Sequence, residues 1–575
     1  MNNELYSDLH PAPSGIVARA FPFLRWFPLS GSALRADLIA GITISALLVP
    51  QSMAYAELMG LPAQCGLYGA FLPVIAGALW GSCRQLATGP TAMISLLTAA
   101  VITGACSADA PVEERIRLAI VLSCMSGVVL LAMGMVRWSF VLGLVSRPVL
   151  LGFTNAAALI IALSQFPALL GLHVPRSRCY LVDLWNALQD IAATNGAVVV
   201  VGVGSLVVLL VLHRLKPRWP GMLIVLVVTT VASWLSGYES RWHGDVVGAI
   251  PRGLPSLRLP QFDLDTMRRL VPGAVVIALI GFMEVMAISK AIAARTRQRL
   301  DLDQEMIGQG LANLLGSFAM APPASGSFSR SAATLAAGGR SGISSIVTAM
   351  GTLVTLVCLT PLMHHLPRAT LAAVIMTAVI TLADVPGFLH IWRTSKLDGV
   401  TGCITFVTCV LLAPHISTGI FIGVMLALVF HLGRMMRPHV AVLGRHADGT
   451  FRDAVYHKLP TDDLVVLLRF DGRLFFGNAE HFERSVLNAL AAKPQARAVL
   501  VVADGINVID SSGVVMLEEL AHLLRTNGIL FGFSEMKWRP LRTLEQAGFV
   551  ASLGPDCFFR TTDSGITALK QKCAP

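Results

Sequence analysis

The sequence predicts a polytopic α-helical membrane protein that ends in a soluble α/β domain. Of its 575 residues, 54% are hydrophobic and only 14% are charged, whereas a soluble protein carries about 25% charged residues. Long charge-free runs recur between Leu38 and Gly433, and a helix needs about 20 apolar residues to cross the hydrocarbon core. Beyond Arg437 the runs give way to short apolar stretches of strand length, which alternate with helical patterns.

The charge-free runs and the change after Arg437 divide the chain into three parts. Several runs are too short for a full span and others are long enough for two, so they indicate about twelve to fourteen membrane segments, some of them incomplete. We predict a short cytoplasmic N-terminal segment over residues 1–30, a transmembrane transport domain over 31–437 and a cytoplasmic domain over 438–575.

The last part has the alternating pattern of an α/β domain. Its predicted strands are "DLVVLLRF", "ARAVLVVAD" and "GILFGFSEM". Its predicted helices are "AEHFERSVLNAL", "SSGVVMLEELAHLLRTN" and "KWRPLRTLEQAG". About 140 residues are enough for one domain of this kind.

Basic residues in the loops predict how the chain is oriented in the membrane. The clusters that we place on the cytoplasmic side are Arg214–Arg218, Arg295–Arg299, Arg393–Lys396, and Arg434 with Arg437. The segments predicted to face outward are Ser107–Glu114, Pro175–Asp190 and Glu239–Asp265. We therefore expect a multi-pass protein of the cell inner (plasma) membrane with both termini in the cytoplasm.

Composition and motifs also exclude several functional classes. The net charge of +10 does not indicate nucleic-acid binding, because no basic cluster is interleaved with aromatic residues. The sequence contains no GxxxxGK[ST] phosphate loop and no run of closely spaced metal ligands. We therefore predict that the protein is not an enzyme and has no metal or cofactor.

Two stretches interrupt their apolar runs in a similar way. The first is "RQLATGPTAMISLLTAA" (84–100), and the second is "APPASGSFSRSAATLAA" (321–337). After each break a half-helix is predicted to begin inside the membrane, near Thr91 and near Phe328. The free amides and the dipole of a helix N-terminus attract anions, and matched interruptions in two halves of a chain indicate a transporter's central site.

Arg330 lies on the first turn of the second half-helix. Between Ile307 and Leu366 the only formal charges are Arg330 and Arg340, and a charge in such a run is costly unless it faces a partner or water. A glycine–proline kink alone is common in membrane helices, and a lone arginine can reach the interface. The combination of two matched breaks and an arginine favours an anion site.

Three further polar residues interrupt apolar runs. Gln51 and Tyr55 are four positions apart and share one helix face. A glutamine within a membrane span can donate a hydrogen bond to a substrate oxygen or, more commonly, form one with a neighbouring helix. Glu284 follows a long uncharged run, and a carboxyl in a low dielectric can carry a proton. Glu284 is therefore a candidate proton-coupling residue, or else a structural partner for a basic group such as Arg330.

Four motifs, in their order along the chain, resemble the sulfate permease (SulP) family of anion transporters with a C-terminal STAS domain. They are "PQSMAYAELMGLPAQCGLYGAFLP", "GSCRQLATGPTAM", "PPASGSFSRSAATLAAGGRSG" and "DGINVIDSSGVVMLEEL". The resemblance implies fourteen membrane segments, arranged as two inverted seven-segment repeats that form a core and a gate domain. The third and tenth segments would be half-helices whose N-termini face each other across the anion.

The resemblance also implies roles for particular residues. The side chains expected to bind the anion are Gln51, Tyr55, Thr91, Ala92, Phe328, Ser329 and Arg330. Family members selective for small halides often have Phe where Thr91 stands, so the smaller threonine leaves room for a larger oxyanion. Glu284 matches an acidic position that resembles a proton-coupling site in symporting members.

In the tail, Asp510–Gly513 ("DSSG") matches a turn that is phosphorylated on serine in related soluble regulators. Ser511 and Ser512 are therefore candidate regulatory phosphorylation sites, although Asp and Ser are also ordinary helix N-caps. The resemblance further implies a homodimer and a regulatory protein partner at the STAS domain.

These features predict secondary active transport of inorganic anions, specifically sulfate with proton symport by an alternating-access (elevator-type) mechanism. The alternatives left open are sodium-coupled bicarbonate uptake, proton-coupled dicarboxylate uptake, uncoupled anion exchange or channel activity, and a membrane-tethered regulator. H+ is the expected coupling ion, and Na+ is the alternative. The expected partners are a small inorganic anion and the lipid bilayer, with no nucleic acid.

Overall fold

The structure is a computed structural model. It describes residues 21–107, 110–139, 146–172, 180–190, 194–215, 221–251, 253–380, 383–413 and 415–573. Residues 1–20 of the predicted N-terminal segment therefore lie outside the described residues. The chain divides into two compact units, Met1–Ala427 and Leu428–Pro575. The division falls within the helix Ile416–Met436, a little before the predicted boundary at 437/438.

The first unit consists of membrane helices and one short two-stranded ladder. Its first half contains α1 (Gly31–Leu58), α2 (Ala63–Gly69), α3 (Leu72–Trp80), β1 (Thr88–Gly89), α4 (Ala92–Ala105), α5 (Val112–Met135), α6 (Arg147–Leu170), α7 (Tyr180–Gln189), α8 (Gly196–Leu215), α9 (Gly221–Ser236) and α10 (Tyr238–Trp242). Its second half contains α11 (Leu264–Thr296), α12 (Leu302–Phe318), β2 (Ser325–Gly326), α13 (Phe328–Ala336), α14 (Ile343–Val354), α15 (Arg368–Ile380), α16 (Val385–Thr394), α17 (Lys396–Leu411) and α18 (Ile416–Met436).

The helices of the first unit account for the predicted membrane segments. Among the described residues, eight helical stretches are long and apolar enough to cross a membrane, and three shorter apolar helices accompany them. With α2–α3 taken as one segment and the short helices α7, α10 and α16 left out, seven segments precede α11 and seven begin with it. In this count the short helices α4 and α13 are the third and the tenth segments. The predicted fold class is confirmed.

The membrane helices pack in two groups, which match the predicted core and gate. In the first group α12 lies against α3 and α5, α14 lies against α1, and α11 lies against α5. In the second group α6 contacts α15 and α17, and α8 contacts α15. Glycines allow helix backbones to approach each other closely. A Cβ on Gly127 of α5 would clash with α12, since it would lie 2.6 Å from the Leu314 amide nitrogen.

Helix α11 extends beyond the charge-free run from which it was predicted. The run Leu270–Met283 is short for a span, but the helix continues through Glu284 to Thr296 as one element of 33 residues. Its start is fixed by Asp263, whose carboxylate accepts a hydrogen bond from the Thr266 amide. Glu284 therefore lies well inside a continuous membrane helix.

The second unit is an α/β domain built on a six-stranded sheet. The strands are β3 (Val440–Arg445), β4 (Phe451–Asp453), β5 (Val465–Phe470), β6 (Ala498–Val502), β7 (Leu530–Ser534) and β8 (Phe558–Phe559). Their order in the sheet is β4-β3-β5-β6-β7-β8. Strands β5 to β8 are parallel, and β3 pairs antiparallel with β4 and β5. The helices are α19 (Ala454–His457), α20 (Ala479–Ala491), α21 (Ser511–Thr526), α22 (Trp538–Gln546), α23 (Phe549–Leu553) and α24 (Thr562–Cys573).

The sequence predicted the central part of this domain and missed its edges. All three predicted strands correspond to β5, β6 and β7, and the three predicted helices correspond to α20, α21 and α22. Strands β3, β4 and β8 and helices α19, α23 and α24 were not predicted.

Candidate functional site

The two predicted breaks meet in the first unit as an antiparallel ladder. Thr88 is opposite Gly326, and Gly89 is opposite Ser325. The Ser331 hydroxyl accepts a hydrogen bond from the Ala87 amide at 2.8 Å, which ties the second half-helix to the first break. Each strand leads directly into a half-helix, α4 or α13. The ladder therefore brings the N-termini of the two half-helices to the same place.

Each half-helix begins at a capping hydroxyl. Thr91 caps α4 and accepts a hydrogen bond from the Ile94 amide at 3.4 Å. Ser327 caps α13 and accepts one from the Arg330 amide at 3.5 Å. The other amides of a first turn have no partner within the helix, so two sets of amide donors converge near the ladder.

Arg330 is the charged residue at this junction. Its side chain is only 1% exposed, and its Nη1 donates a hydrogen bond to Gln51 Oε1 at 3.4 Å. Neither Nε nor Nη2 has a hydrogen-bond partner among the described residues. The Nη2 atom lies beside the first break, 3.3 Å from the point that a Cβ on Gly89 would occupy. The guanidinium thus presents free, charge-bearing donors at the ladder.

Gln51 and Tyr55 approach Arg330 from α1. The Gln51 oxygen accepts from Arg330, and its Nε2 contacts the sulfur of Met222 on α9 at 3.3 Å. Because a thioether is a weak acceptor, an anion oxygen is a better partner for this amide. Tyr55, one turn later, is buried and interacts electrostatically with Arg330 and Glu284.

Glu284 lies within electrostatic range of Arg330, but the two side chains form no ion pair in the part of the chain that the structure describes. The Oε2 atom of Glu284 is buried and has no hydrogen-bond partner there. An enclosed carboxylate oxygen without a partner is costly when it carries charge, and taking up a proton removes that charge. Glu284 is thus an electrostatic neighbour of Arg330 with no direct ion pair to it among the described residues.

The remaining predicted site residues are placed differently. Thr91 is buried, and Ala92 is half-buried at the start of α4. Phe328 is 60% exposed, and Ser329 is also exposed. The structure thus brings Gln51, Tyr55 and Arg330 together, whereas Phe328 and Ser329 lie on the exposed side of the same helical turn.

A row of polar residues on α12, which was not predicted from the sequence, supports the ladder. Asn313 accepts a hydrogen bond from the Ala324 amide at 2.8 Å and donates one to the Ala324 carbonyl at 2.9 Å. Gln309, one turn earlier, donates to the Thr88 hydroxyl at 3.0 Å. One face of α12 therefore holds both breaks. It bonds the backbone of Ala324 at the second break and the side chain of Thr88 at the first.

Glu305 extends the same row by a further turn. Its carboxylate is fully buried and accepts hydrogen bonds from the amides of Ser82 and Cys83, both at 2.7 Å. The signal in the sequence was the spacing of Glu305, Gln309 and Asn313 by four residues, which places them on one helix face. Their partners lie more than 200 positions away or beyond a proline-rich break, so the spacing alone did not identify a role.

A cavity of about 630 Å³ lies near the C-terminal ends of α1 and α4. Charged residues in its lining include Glu57, Arg115, Asp245 and Arg368, and Arg368 Nε lies 3.6 Å from Glu57 Oε1. Arg330, Gln51 and Tyr55 do not line this cavity. It is therefore separate from the junction of the half-helices.

In the second unit, Ser511 and Ser512 are the exposed first residues of α21. Asp510 caps this helix by accepting a hydrogen bond from the Gly513 amide at 2.8 Å, and it also accepts one from the Phe476 amide. The N-cap of this helix is therefore Asp510, and both serines are exposed.

Comparisons with known proteins identify the family of each part of the chain. The model of the sulfate permease family matches residues 34–405, and the model of the STAS domain matches residues 456–565. A relative from Arabidopsis thaliana, "Probable sulfate transporter 4.2", is 34% identical over 543 residues, which cover 91% of this chain and 79% of the relative.

Two solved structures share the fold at 22% sequence identity. The murine Solute Carrier 26 family member A9 anion transporter, in the inward-facing state, matches with a TM-score of 0.88 over 99% of this chain and 97% of its own. The transmembrane domain of a cyanobacterium bicarbonate transporter, BicA, matches with a TM-score of 0.60 over 70% of this chain and 98% of its own. At this identity the two structures are evidence for the fold alone.

Proposed function

The chain belongs to the sulfate permease family, and we propose that it is a secondary active transporter that takes up sulfate together with protons. Its relatives are transporters and not enzymes, and anion transport is the activity they share. Sulfate as the main substrate, proton coupling and an elevator-type cycle are the specific parts of the proposal.

The buried Arg330 guanidinium carries this proposal. Two of its nitrogen atoms have no partner among the described residues, and a buried unpaired charge is strongly unfavourable. An oxyanion at the ladder would pair with these nitrogens and with the first-turn amides of both half-helices. The Gln51 amide, now on a sulfur atom, would supply a further donor.

Glu284 supplies a physical route to proton coupling. When it is ionised, its negative charge competes with the anion for the field of Arg330, since the two residues interact electrostatically. When it is protonated, that competition is removed and the anion binds more tightly. Binding of the anion and of the proton would therefore favour each other, as linkage requires.

Uptake into proteoliposomes tests the substrate. The purified protein is supplied with labelled sulfate, bicarbonate, chloride or succinate, each with and without a proton or a sodium gradient. We expect concentrative sulfate uptake that requires the proton gradient. Sodium-driven bicarbonate uptake, or fast chloride flux without a gradient, would contradict the proposal and identify the alternative.

Substitution of Glu284 by Gln tests the coupling. The variant mimics the protonated carboxyl, so we expect sulfate binding to be retained and its dependence on pH to be lost. Concentrative uptake driven by an imposed pH gradient should disappear, while exchange of sulfate across the membrane should continue. If the variant still concentrates sulfate in response to a pH gradient, Glu284 is not the coupling residue.

The second unit is proposed to regulate transport. Phosphate on Ser511 or Ser512 would lie at the N-terminus of α21, where the helix dipole favours negative charge. Mass spectrometry of protein purified from cells grown with and without sulfate should find a phosphoryl group on this turn. If the peptide is unmodified in both, the regulatory assignment fails.

The proposed homodimer is tested by the mass of the particle in lipid nanodiscs, where a monomer mass would contradict it.

A further inference from the structure

We propose that Glu239, His364 and His365 form a binding site for a divalent transition-metal ion, for which Zn²⁺ is the best match. Glu239 lies on α10, directly after the seventh membrane segment. The two histidines follow the 3-10 helix Thr360–Met363 and precede α15. The candidate ligand atoms of all three side chains lie within 4.8 Å of one another, although Glu239 is far from the two histidines in the sequence.

The backbone holds the two segments together next to this cluster. The Gly248 amide donates a hydrogen bond to the His364 carbonyl at 3.2 Å, and the Val247 amide donates to the Leu366 carbonyl at 2.9 Å. Val246 and Pro367 are paired across the same contact. These contacts lie a few positions after α10, so the backbone keeps this part of the chain next to the histidines whichever rotamers the side chains adopt.

The donor set indicates the class of ion. Two imidazole nitrogens and a carboxylate oxygen are usual Zn²⁺ ligands, and three protein ligands plus water are typical of an open site. Mg²⁺ and Ca²⁺ prefer oxygen donors throughout, so they fit this cluster poorly. The imidazole pair also suits Co²⁺, Ni²⁺ and Cu²⁺.

The distances require only a small adjustment. Ligands around a tetrahedral Zn²⁺ lie about 3.4 Å apart, because each bond is about 2.1 Å long. His364 Nε2 is 3.9 Å from Glu239 Oε2, and the two imidazole rings are 4.8 Å apart between centroids. The side chains of His364 and Glu239 are 39% and 56% exposed. They are therefore free to rotate toward an ion, and water can complete the coordination.

The position of the cluster suggests what an ion would do there. Helix α10, which carries Glu239, directly follows α9, the last membrane segment of the first half. The histidines follow α14, the eleventh segment, which packs on α1. An ion shared by these segments would link the end of the seventh segment to the end of the eleventh. This consequence rests on the proposed function, whereas metal binding itself does not.

Calorimetric titration with Zn²⁺ tests the site directly. The full-length protein, purified and freed of any histidine tag, should bind one ion per chain at this cluster. We expect His364→Ala, His365→Ala and Glu239→Gln each to weaken binding at least about tenfold, since loss of supporting groups alone has effects of that size. His390→Ala, which removes an exposed histidine of α16, is the matched control and should bind as the wild type does.

A thermal unfolding measurement separates loss of the site from loss of the fold. Zn²⁺ should raise the melting temperature of the wild type and of His390→Ala, because a ligand that binds only the folded state stabilises it. It should not change that of the His364→Ala/His365→Ala double variant, whose metal-free melting temperature should be normal. Equal binding by the wild type and this double variant would overturn the proposal.

Zn²⁺ inhibition of uptake tests the consequence for transport. Micromolar Zn²⁺ should slow sulfate uptake by the wild type and leave His364→Ala unaffected. If calorimetry finds the ion at the cluster and uptake does not change, the proposed link between the two segments is wrong. If uptake is absent in every variant and condition, the proposed function fails, while the metal site is judged by binding alone.

Discussion

The two helix breaks meet at one ladder but contribute different groups to it. The first leads into α4, a helix of 14 residues without a charged side chain, capped by the buried Thr91. The second leads into α13, only 9 residues long, whose first turn carries the buried Arg330 beside the exposed Phe328. The first break therefore supplies only helix N-terminal amides to the junction, whereas the second supplies such amides and a positive charge.

The breaks are also held in place by different means. α12 holds the first through the hydroxyl of Thr88 but holds the second through both backbone groups of Ala324. The Ser325 hydroxyl adds a hydrogen bond to the Gly281 carbonyl of α11 at 2.9 Å. The break that positions the charge is thus held through its own backbone. We therefore expect the largest effect from losing the contacts of α12 with that backbone.

Among changes to the framework of the ladder, the largest effect is expected from Asn313→Leu. This change leaves the amide and the carbonyl of Ala324 buried and unpaired, at a cost of about 1–3 kcal/mol for each. We expect sulfate uptake to be abolished and the melting temperature to fall. Asn313→Asp keeps the acceptor for the Ala324 amide and should be less severe.

Ser317→Ala is the matched control for this change. Ser317 is buried one turn later on α12, and its hydroxyl bonds the Leu314 carbonyl of its own helix. Near-normal uptake is expected. If Asn313→Leu transports as well as Ser317→Ala does, α12 is not the frame of the site.

An intermediate effect is expected from Gly89→Ala. Gly89 has a φ of +147°, which an L-residue adopts only with strain of about 1–3 kcal/mol. The added Cβ would lie 3.3 Å from Arg330 Nη2, so it crowds the guanidinium. We expect the KM for sulfate to rise about tenfold, which corresponds to about 1.4 kcal/mol.

Gly326→Ala, on the other strand of the ladder, sharpens this comparison. Its Cβ would meet the apolar side chains of Leu86 at 2.9 Å and Val285 at 3.0 Å. The change should therefore lower the melting temperature and leave the KM of the folded protein nearly unchanged. A larger rise in KM for Gly326→Ala than for Gly89→Ala would reverse the roles that we give to the two strands.

The smallest effects are expected from removing the helix caps. A capping hydroxyl contributes about 1 kcal/mol, and these two hydrogen bonds are long, at 3.4 Å for Thr91 and 3.5 Å for Ser327. We expect a rise of a few-fold in KM for each alanine variant, with the larger rise for Ser327→Ala, because Ser327 holds the turn of Arg330. Full loss of uptake in Thr91→Ala together with normal uptake in Ser327→Ala would place the anion at the first break alone.

The parts of this arrangement that depend on local sequence could be predicted, and the parts that depend on distant contacts could not. Gly89-Pro90 and the prolines before Ser325 stand out in apolar runs, so both half-helices were predicted at nearly the correct residues. Arg330 was conspicuous because a charge is rare in such a run. These local signals located the candidate site.

The framework around the site left no comparable signal. The pairing of β1 with β2 joins residues from opposite halves of the chain, and no local pattern specifies such a contact. Asn313 and Gln309 were not among the predicted site residues. Glu284 marked the end of a charge-free run, which concealed the true length of α11. The cluster of Glu239 with His364 also depends on a distant pairing of segments.

The central claim is that Arg330, at the meeting point of two helix N-termini, binds the transported anion. Binding of sulfate, or of whichever anion the uptake panel selects, should be measured by calorimetry on the wild type, Arg330→Ala and Arg340→Gln. Arg340 is the other formal charge between Ile307 and Leu366 and serves as the control for net charge. We predict normal binding by the wild type and Arg340→Gln and none by a folded Arg330→Ala; wild-type affinity in Arg330→Ala would contradict the account.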